Sequence, residues 1–378
     1  MSDLHYACAA AASFGLESIV RGELEALGIS GARAEDRRVL FEATAREIAL
    51  CNISLRTADR VLIRLADFPA PDFDALYEGV RAVRWKDFLA KDPRVVVEAR
   101  SVKSRLTATP SLQSVTKKAI VDAVTGGKGR MTESGPRYDV ELVLRGDQAS
   151  LMLDTTGPGL HKRGYRAEGG EAPLRENLAA ALVMLSRWGP ARPFADPLCG
   201  SGTIAVEAAL VAANIAPGLG RTFAAEAWPL FPAAEWRTAR EQARAGERRD
   251  VQVRIAGSDR DPRAVAAAER NARAAGVADL VAFHAAPLSS FQPAGDYGCL
   301  VCNPPYGERL GTEAEAQGLY RELGGIFRSL PTWSLFALSA SGDFERHFGS
   351  RSSKNRKLYN GNIRCWLYQY FGPPPARK

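Results

Sequence analysis

Pro193-Phe194-Ala195-Asp196-Pro197-Leu198-Cys199-Gly200-Ser201-Gly202-Thr203 is an apolar run, an acid and a glycine-bearing turn, followed by an apolar helical stretch over 204–213. Strand, turn and helix in that order open an α/β sheet. Gly200 and Gly202 let backbone approach a ligand without Cβ interference. The spacing is neither GxGxxG nor GxxxxGK[ST], so dinucleotide and triphosphate readings are weak. Asp196, at the strand end, would accept from a cationic or amino group. The same rhythm runs on through helix 262–275, strands 251–257, 280–283, 298–302 and 334–338, and helix 315–330. Strand 363–370 would lie antiparallel at the C-terminal end, and helix 174–188 leads in. The expected fold is a Rossmann-like α/β sheet with residues 214–248, rich in Ala, Pro and Trp, inserted after its first helix.

Two further strand ends belong with Asp196. Strand 251–257 ends at Ser258-Asp259, where an acid can take ribose hydroxyls at the carboxyl edge of such a sheet. Asp261, ahead of Pro262, reads instead as a helix N-cap. The third end is Asn303-Pro304-Pro305-Tyr306, after the apolar run Cys299-Leu300-Val301-Cys302. Two prolines have no backbone N–H, so the turn offers carbonyl acceptors and almost no donors. Asn303 adds a side-chain acceptor, and Tyr306 a ring on which a base can stack. Acceptors beside an aromatic face suit a planar base that presents an exocyclic NH2. On four residues alone, an ordinary Pro-rich turn is as good a reading. The order of glycine turn, acidic strand end and Asn-Pro-Pro-Tyr is far more specific.

Ahead of this sheet the pattern differs. Segments 5–9 and 38–41 are strand-like, and 16–27 and 45–55 are helical. Pro69-Ala70-Pro71 punctuates the chain, and then come helix 73–81, strand 94–99, helix 111–124 and strands 138–144 and 148–154. That alternation with a hairpin indicates an α+β module. The composition, 46% hydrophobic and 25% charged, is that of globular material. No stretch approaches the ~20 apolar residues of a membrane span, and the first residues lack a signal peptide's pattern. Six scattered cysteines imply reduced thiols in a cytosol, and Cys299 and Cys302 read as buried thiols rather than zinc ligands. No metal is expected.

The net charge of +7 is unevenly placed. Residues 81–130 hold twelve Lys/Arg against four acids, and 346–364 hold six against none. These are reasonable footprints for a polyphosphate backbone. Candidate contacts are Arg100, Lys103, Arg105, Lys117, Lys118, Arg356 and Lys357.

These motifs resemble class I S-adenosylmethionine-dependent amino methyltransferases. More narrowly, the chain is similar to the THUMP-containing RNA guanine-N2 methyltransferases that act on large-subunit ribosomal RNA. The narrower likeness rests on Leu160-His161-Lys162-Arg163-Gly164-Tyr165-Arg166, Ala213-Asn214-Ile215-Ala216-Pro217-Gly218 and Lys357-Leu358-Tyr359-Asn360-Gly361. The resemblance implies a ferredoxin-like domain over 1–62, a THUMP RNA-binding domain over 63–157, a linker over 158–172 and the methyltransferase domain over 173–378. It implies S-adenosyl-L-methionine as cofactor, held by Asp196, Pro197, Cys199, Gly200, Gly202, Thr203, Asp259 and Asn303. Catalysis would fall to Asn303, Pro304, Pro305 and Tyr306. Read from the residues themselves, Glu308 and Arg309 either shape the pocket mouth or are plain surface, and in His161–Arg166 a linker packing Tyr165 between domains is favoured over a contact with RNA. Methyltransferases of this class often carry an acid after the third strand, near the cofactor's adenine. Here His284-Ala285-Ala286-Pro287-Leu288-Ser289 has none, which leaves an apolar or main-chain contact. The turn itself does not separate guanine N2 from adenine N6, nor ribosomal from transfer RNA. A non-catalytic RNA-binding or ribosome-assembly factor is disfavoured by the intact constellation, and a Rossmann oxidoreductase by the glycine spacing.

Overall fold

The computed structural model describes residues 4–127, 129–166, 174–305 and 312–375, which fall into two units. The first comprises Met1–Ala12, Val20–Leu160 and Arg221–Ala243; the second comprises Ser13–Ile19, His161–Gly220 and Arg244–Lys378. In chain order the elements up to the linker are β1 (Tyr6–Ala12), α1 (Glu17–Ala26), β2 (Arg33–Glu35), β3 (Arg38–Ala43), α2 (Ala45–Ser54), β4 (Ala58–Pro69), α3 (Phe73–Arg81), β5 (Arg94–Val102), α4 (Thr109–Thr125), β6 (Arg137–Arg145) and β7 (Gln148–Asp154). The strands make one sheet in the order β2-β3-β1-β4-β7-β6-β5. Among the described residues of this sheet, β5 and β6 alone run parallel.

Local chemistry sets the helix starts. Thr44 and Glu47 form a capping box that satisfies two orphan amides at the head of α2. Asp72 caps α3 by accepting from the Ala75 amide. Strand β4 is the departure from the sequence reading, which assigns no strand to 58–69. Its charged Asp59, Arg60, Arg64 and Asp67 interrupt the alternation. Pairing with β1 at one end and β7 at the other, across an irregularity at Arg64–Ala66, holds it in the sheet. The expected division between residues 62 and 63 therefore falls inside one continuous strand.

The second unit carries α5 (Glu176–Leu185), β8 (Phe194–Asp196), α6 (Thr203–Ala212), β9 (Ile255–Asp259), α8 (Pro262–Ala274), β10 (Val281–Ala285), β11 (Cys299–Cys302), α9 (Glu313–Arg328), β12 (Ser334–Ser339), α10 (Phe344–Phe348), β13 (Lys354–Asn360) and β14 (Ile363–Tyr370), with α7 (Ala233–Ala245) between α6 and β9 in the chain. Its sheet order is β10-β9-β8-β11-β12-β14-β13. Strands β10, β9, β8, β11 and β12 run parallel, and β14 is antiparallel to both neighbours. The chain runs from β8 to β9 and β10 on one side, then crosses back to β11 and β12 on the other, so the winding reverses between β8 and β11. That is the switch point at whose carboxyl edge ligands bind. Strand β13 hides in the sequence because its basic residues mask it; among its residues only Leu358 and Asn360 are buried. All six cysteines are free and buried, Cys299 and Cys302 within β11.

Residues 221–243 belong by packing to the first unit, although the chain reaches them from α6. Trp228 stacks on Tyr138 with ring centres 4.6 Å apart, and its indole N–H donates to the Arg137 carbonyl at 2.9 Å. The Ala225 amide donates to the Thr155 carbonyl at 3.1 Å. Phe223 stacks on Trp236 of α7 at 5.4 Å. Much of the inserted segment is thus an apolar layer on the strands of that unit.

Candidate functional site

A cavity of about 840 Å³ opens at the carboxyl edge of β8, β9 and β11 in the second unit. Its wall includes Asp196, Cys199, Gly200, Thr203, Asp259, Asn303 and Pro305, so the three strand ends singled out in the sequence meet around one space. Of the other proposed site residues, Pro197, Gly202 and Pro304 do not form its wall. Pro304 is buried. Tyr306, Glu308 and Arg309 lie outside the described residues.

The turn after β8 is held by its own amides. The Cys199 amide donates to the Ser258 carbonyl at 2.9 Å, and the Gly202 amide to the Cys199 carbonyl at 2.8 Å. Gly202 has φ +77°, and a Cβ there would sit 2.7 Å from that of Ala268. Glycine is therefore required by backbone and by packing alike. At Gly200 a Cβ would meet no atom within 4 Å, which leaves its cavity face clear for a ligand.

The acids differ in surroundings. Asp196 is 1% exposed. Burial first, and the neighbouring Asp259 charge to a lesser degree, push its pKa up to about 8 against the amide bond from Leu198. Asp259 accepts from the Gly200 amide at 2.9 Å and from the Asp261 amide at 3.0 Å, one bond to each oxygen. It therefore braces the glycine turn while keeping lone pairs for a hydroxyl pair. Asp261 is the N-cap of α8, accepting from the Arg263 amide.

Asn303 is the most telling side chain. Its Oδ1 is sealed from solvent and accepts no hydrogen bond among the described residues. A buried amide oxygen left without a donor costs about 1–3 kcal/mol. The turn beneath it is anchored: the Tyr320 hydroxyl donates to the Pro305 carbonyl at 3.2 Å.

Sequence reasoning missed two groups. Glu315, Gly318, Leu319 and Glu322 line the cavity from α9. Their spacing of three and four residues is one face of a helix, a signal present in the sequence. The second group is the segment before residue 167. Arg163 and Tyr165 both reach Glu207 of α6, at 3.4 and 3.1 Å, and Tyr165 is buried in the core of the second unit itself. Arg166 donates to Thr203 Oγ1 at 2.6 Å and to the Leu174 carbonyl at 3.0 Å, both on the cavity wall. After β10, Pro287 and Leu288 line the cavity, so its wall there is apolar.

The basic candidates occupy both units. In the first, Arg100 lies on β5 and Lys103 just beyond it. Arg105 pairs with Asp147 at 2.9 Å, Lys117 with Glu133 at 2.7 Å and Lys118 with Asp122 at 3.0 Å. Such exposed pairs are worth about 0–1 kcal/mol and can be surrendered to a phosphate. In the second unit Arg356 donates to the Gly15 carbonyl, and Lys357 lies against Phe14 and Tyr359.

Comparison with known proteins gives matches along nearly the whole chain. An RMKL-like methyltransferase domain matches residues 163–369, an RlmL ferredoxin-like domain 7–62 and a THUMP domain 70–154. A Bacillus subtilis protein bearing the name RNA methyltransferase YpsC is 42% identical over 99% of this chain and 98% of its own length. The ribosomal RNA large subunit methyltransferase K/L of Aliivibrio fischeri is 37% identical over 95% of this chain and 52% of its own. The chain thus spans about half the length of the K/L relatives. A Listeria monocytogenes structure described as an N6-adenine-specific DNA methylase superposes with a TM-score of 0.92 at 43% identity, over 98% of this chain and 97% of its own. A methyltransferase complexed with SAH superposes with a TM-score of 0.92 at 42% identity, over 99% of this chain and 100% of its own.

Proposed function

We propose, from the premise that this chain belongs to the RMKL-like methyltransferase family, that it methylates the exocyclic N2 amino group of a guanosine in large-subunit ribosomal RNA. Its cofactor is S-adenosylmethionine, as the fold and the SAH-bound neighbour establish. The observation that supports methylation of an amino group is the unpartnered, buried Oδ1 of Asn303, a residue of the cavity that Asp196 and Asp259 also line; guanine N2 and the large-subunit RNA follow from the resemblance and the K/L relatives. RNA as the substrate is supported by the THUMP match, by the names of the relatives and by the two basic regions. A cytosolic setting with reduced thiols belongs to the same proposal.

The residues present fit the cofactor. Gly200 leaves its face open, Asp259 would offer acceptors to ribose hydroxyls, Pro287 and Leu288 would give the adenine an apolar wall, and Asp196 would take the cofactor's ammonium. When bound, S-adenosylmethionine supplies an electrophilic methyl. The protein's task is the nucleophile, whose lone pair is delocalised into the base. Asn303 Oδ1 takes one N–H of the amine, and we assign the other to the Pro304 carbonyl. Both bonds localise the lone pair, aim it and stabilise the positive charge that grows on nitrogen. Holding donor and acceptor in line is worth up to roughly 7–11 kcal/mol. The extra proton on nitrogen then passes to water. Stacking on Tyr306, assigned from sequence, would add roughly 1–3 kcal/mol, against a few kcal/mol to flip a base out of a stem.

Mass spectrometry of nucleosides from ribosomal and transfer RNA, with and without the gene, tests the reading. Loss of N2-methylguanosine at one position of the large-subunit RNA is the expected result. Loss from transfer RNA would move the substrate, and loss of N6-methyladenosine, which the description of the Listeria neighbour favours, would move the base. No lost methyl mark would refute the activity.

Asp196 gives a pH prediction. Its carboxyl holds a proton below about pH 8 in the free protein. A cofactor ammonium beside it favours the carboxylate and lowers that pKa. Binding then releases a proton near neutral pH, and affinity rises with pH until the free-state pKa is passed. Calorimetry with SAH in buffers of different ionisation enthalpy reads the released proton. No net release, with affinity flat across that range, would contradict it.

A further inference from the structure

Lys357-Leu358-Tyr359-Asn360-Gly361 takes no part in the methyl transfer itself, yet the second unit builds a cluster around it. Lys357 and Tyr359 share one face of the edge strand β13, and the loop Ser13–Leu16 lies over them. The Phe14 and Tyr359 rings meet edge to face at 6.1 Å. The Lys357 ammonium stands 5.5 Å from the Phe14 ring centre and 5.4 Å from that of Tyr359. Phe14 is nevertheless 40% exposed, one of few large apolar side chains so open among the described residues.

The loop that presents Phe14 is fixed. Gly15 has φ +87°, and a Cβ there would come 2.8 Å from the Lys357 carbonyl, so only glycine seats it. The Arg356 guanidinium donates to the Gly15 carbonyl at 3.0 Å, and the Gly15 amide donates to Glu17 at 2.9 Å. An exposed aromatic held this firmly loses little entropy when something stacks on it. The surroundings are cationic: Arg364 lies opposite Tyr359 on β14, and residues 346–364 contain no acid. The end of β13 also comes near the cavity wall. Asn360, next to Tyr359, accepts from the Arg175 amide at 3.4 Å, and the preceding Leu174 is on the cavity wall.

We propose that Phe14, with Tyr359 and Lys357, is a platform at the cavity rim on which an unpaired base flanking the target nucleotide stacks while Lys357 takes its phosphate. An aromatic ring beside ammonium and guanidinium groups matches a single-stranded nucleotide, with its π-face and its charge. The proposal rests on the RNA reading and names the part of the RNA that this rim takes.

Binding of poly(A) and of ribosomal RNA across a salt series tests it, with SAH titration as the check on folding. Stacking is not electrostatic. Phe14→Ala is therefore expected to weaken binding about five- to hundredfold by the same factor at every salt concentration. Phe14→Trp restores it. Lys357→Ala instead flattens the log affinity against log salt slope by about 0.7, one phosphate on a single strand. Wild-type affinity in Phe14→Ala overturns the platform and leaves the RNA reading intact. A wild-type protein that binds SAH but neither RNA overturns both.

Discussion

Asn303→Ala lowers the turnover of methyl transfer about a hundred- to thousandfold, the effect of removing one preorganised polar contact from a developing charge. SAH affinity stays close to that of the parent even though the resemblance also puts Asn303 beside the cofactor, because the glycine turn and Asp259 are held by their own amide bonds. The expectation follows from the sealed, unpartnered Oδ1. The bare acceptor carries a free-energy cost that a donor on the substrate would offset. Asn303→Asp keeps an acceptor in place and should retain more activity than alanine, at a pH dependence of its own. Single-turnover kinetics at saturating RNA and cofactor separate chemistry from binding. Near-parent turnover in the alanine variant would remove Asn303 from the reaction and with it the grip proposed for the amine.

That acceptor was legible in the sequence for a physical reason. Proline pairs, glycine turns and acids at strand ends act through the backbone next to them, so their meaning survives without knowledge of the fold. Asp196, Asp259 and Asn303 could be placed because a parallel sheet brings its carboxyl ends to one edge whatever lies between. Strand β4 could not, because its charged residues are tolerated only where β1 and β7 supply partners on both sides. The packing of Trp228 on Tyr138 was equally hidden, since ninety residues of chain separate the two rings and no local pattern links them. The α9 wall of the cavity stood between these cases. The three- and four-residue spacing of Glu315, Leu319 and Glu322 was visible, but polar and apolar residues on one stripe look like a solvated helix until a cavity is found against it.

The segment Arg163-Gly164-Tyr165-Arg166 carries the second large expectation. Arg163 and Glu207 are 2% and 0% exposed at the side chain and lie 3.4 Å apart, with the Tyr165 hydroxyl donating to the same carboxylate oxygen. The other oxygen, Oε2, has no partner among the described residues. Burial first, and the Glu207 charge second, hold the Tyr165 phenol well above its usual range, so it stays a donor at any working pH. Arg163→Leu leaves a buried carboxylate with Tyr165 alone, and the expected cost is about 3–5 kcal/mol. A buried pair gains little over apolar substitutes once desolvation is counted. The double variant Arg163→Leu/Glu207→Leu should therefore be markedly more stable than Arg163→Leu alone. Urea unfolding reads both, and the transition that belongs to the second unit is the one SAH shifts to higher denaturant. If the single and double variants fall by the same amount, the loss lies in packing around Arg163 and not in an uncompensated charge on α6. Because α6 begins at Thr203, where Arg166 also bonds, Arg163→Leu should weaken SAH binding along with the fold, whereas Asn303→Ala spares it.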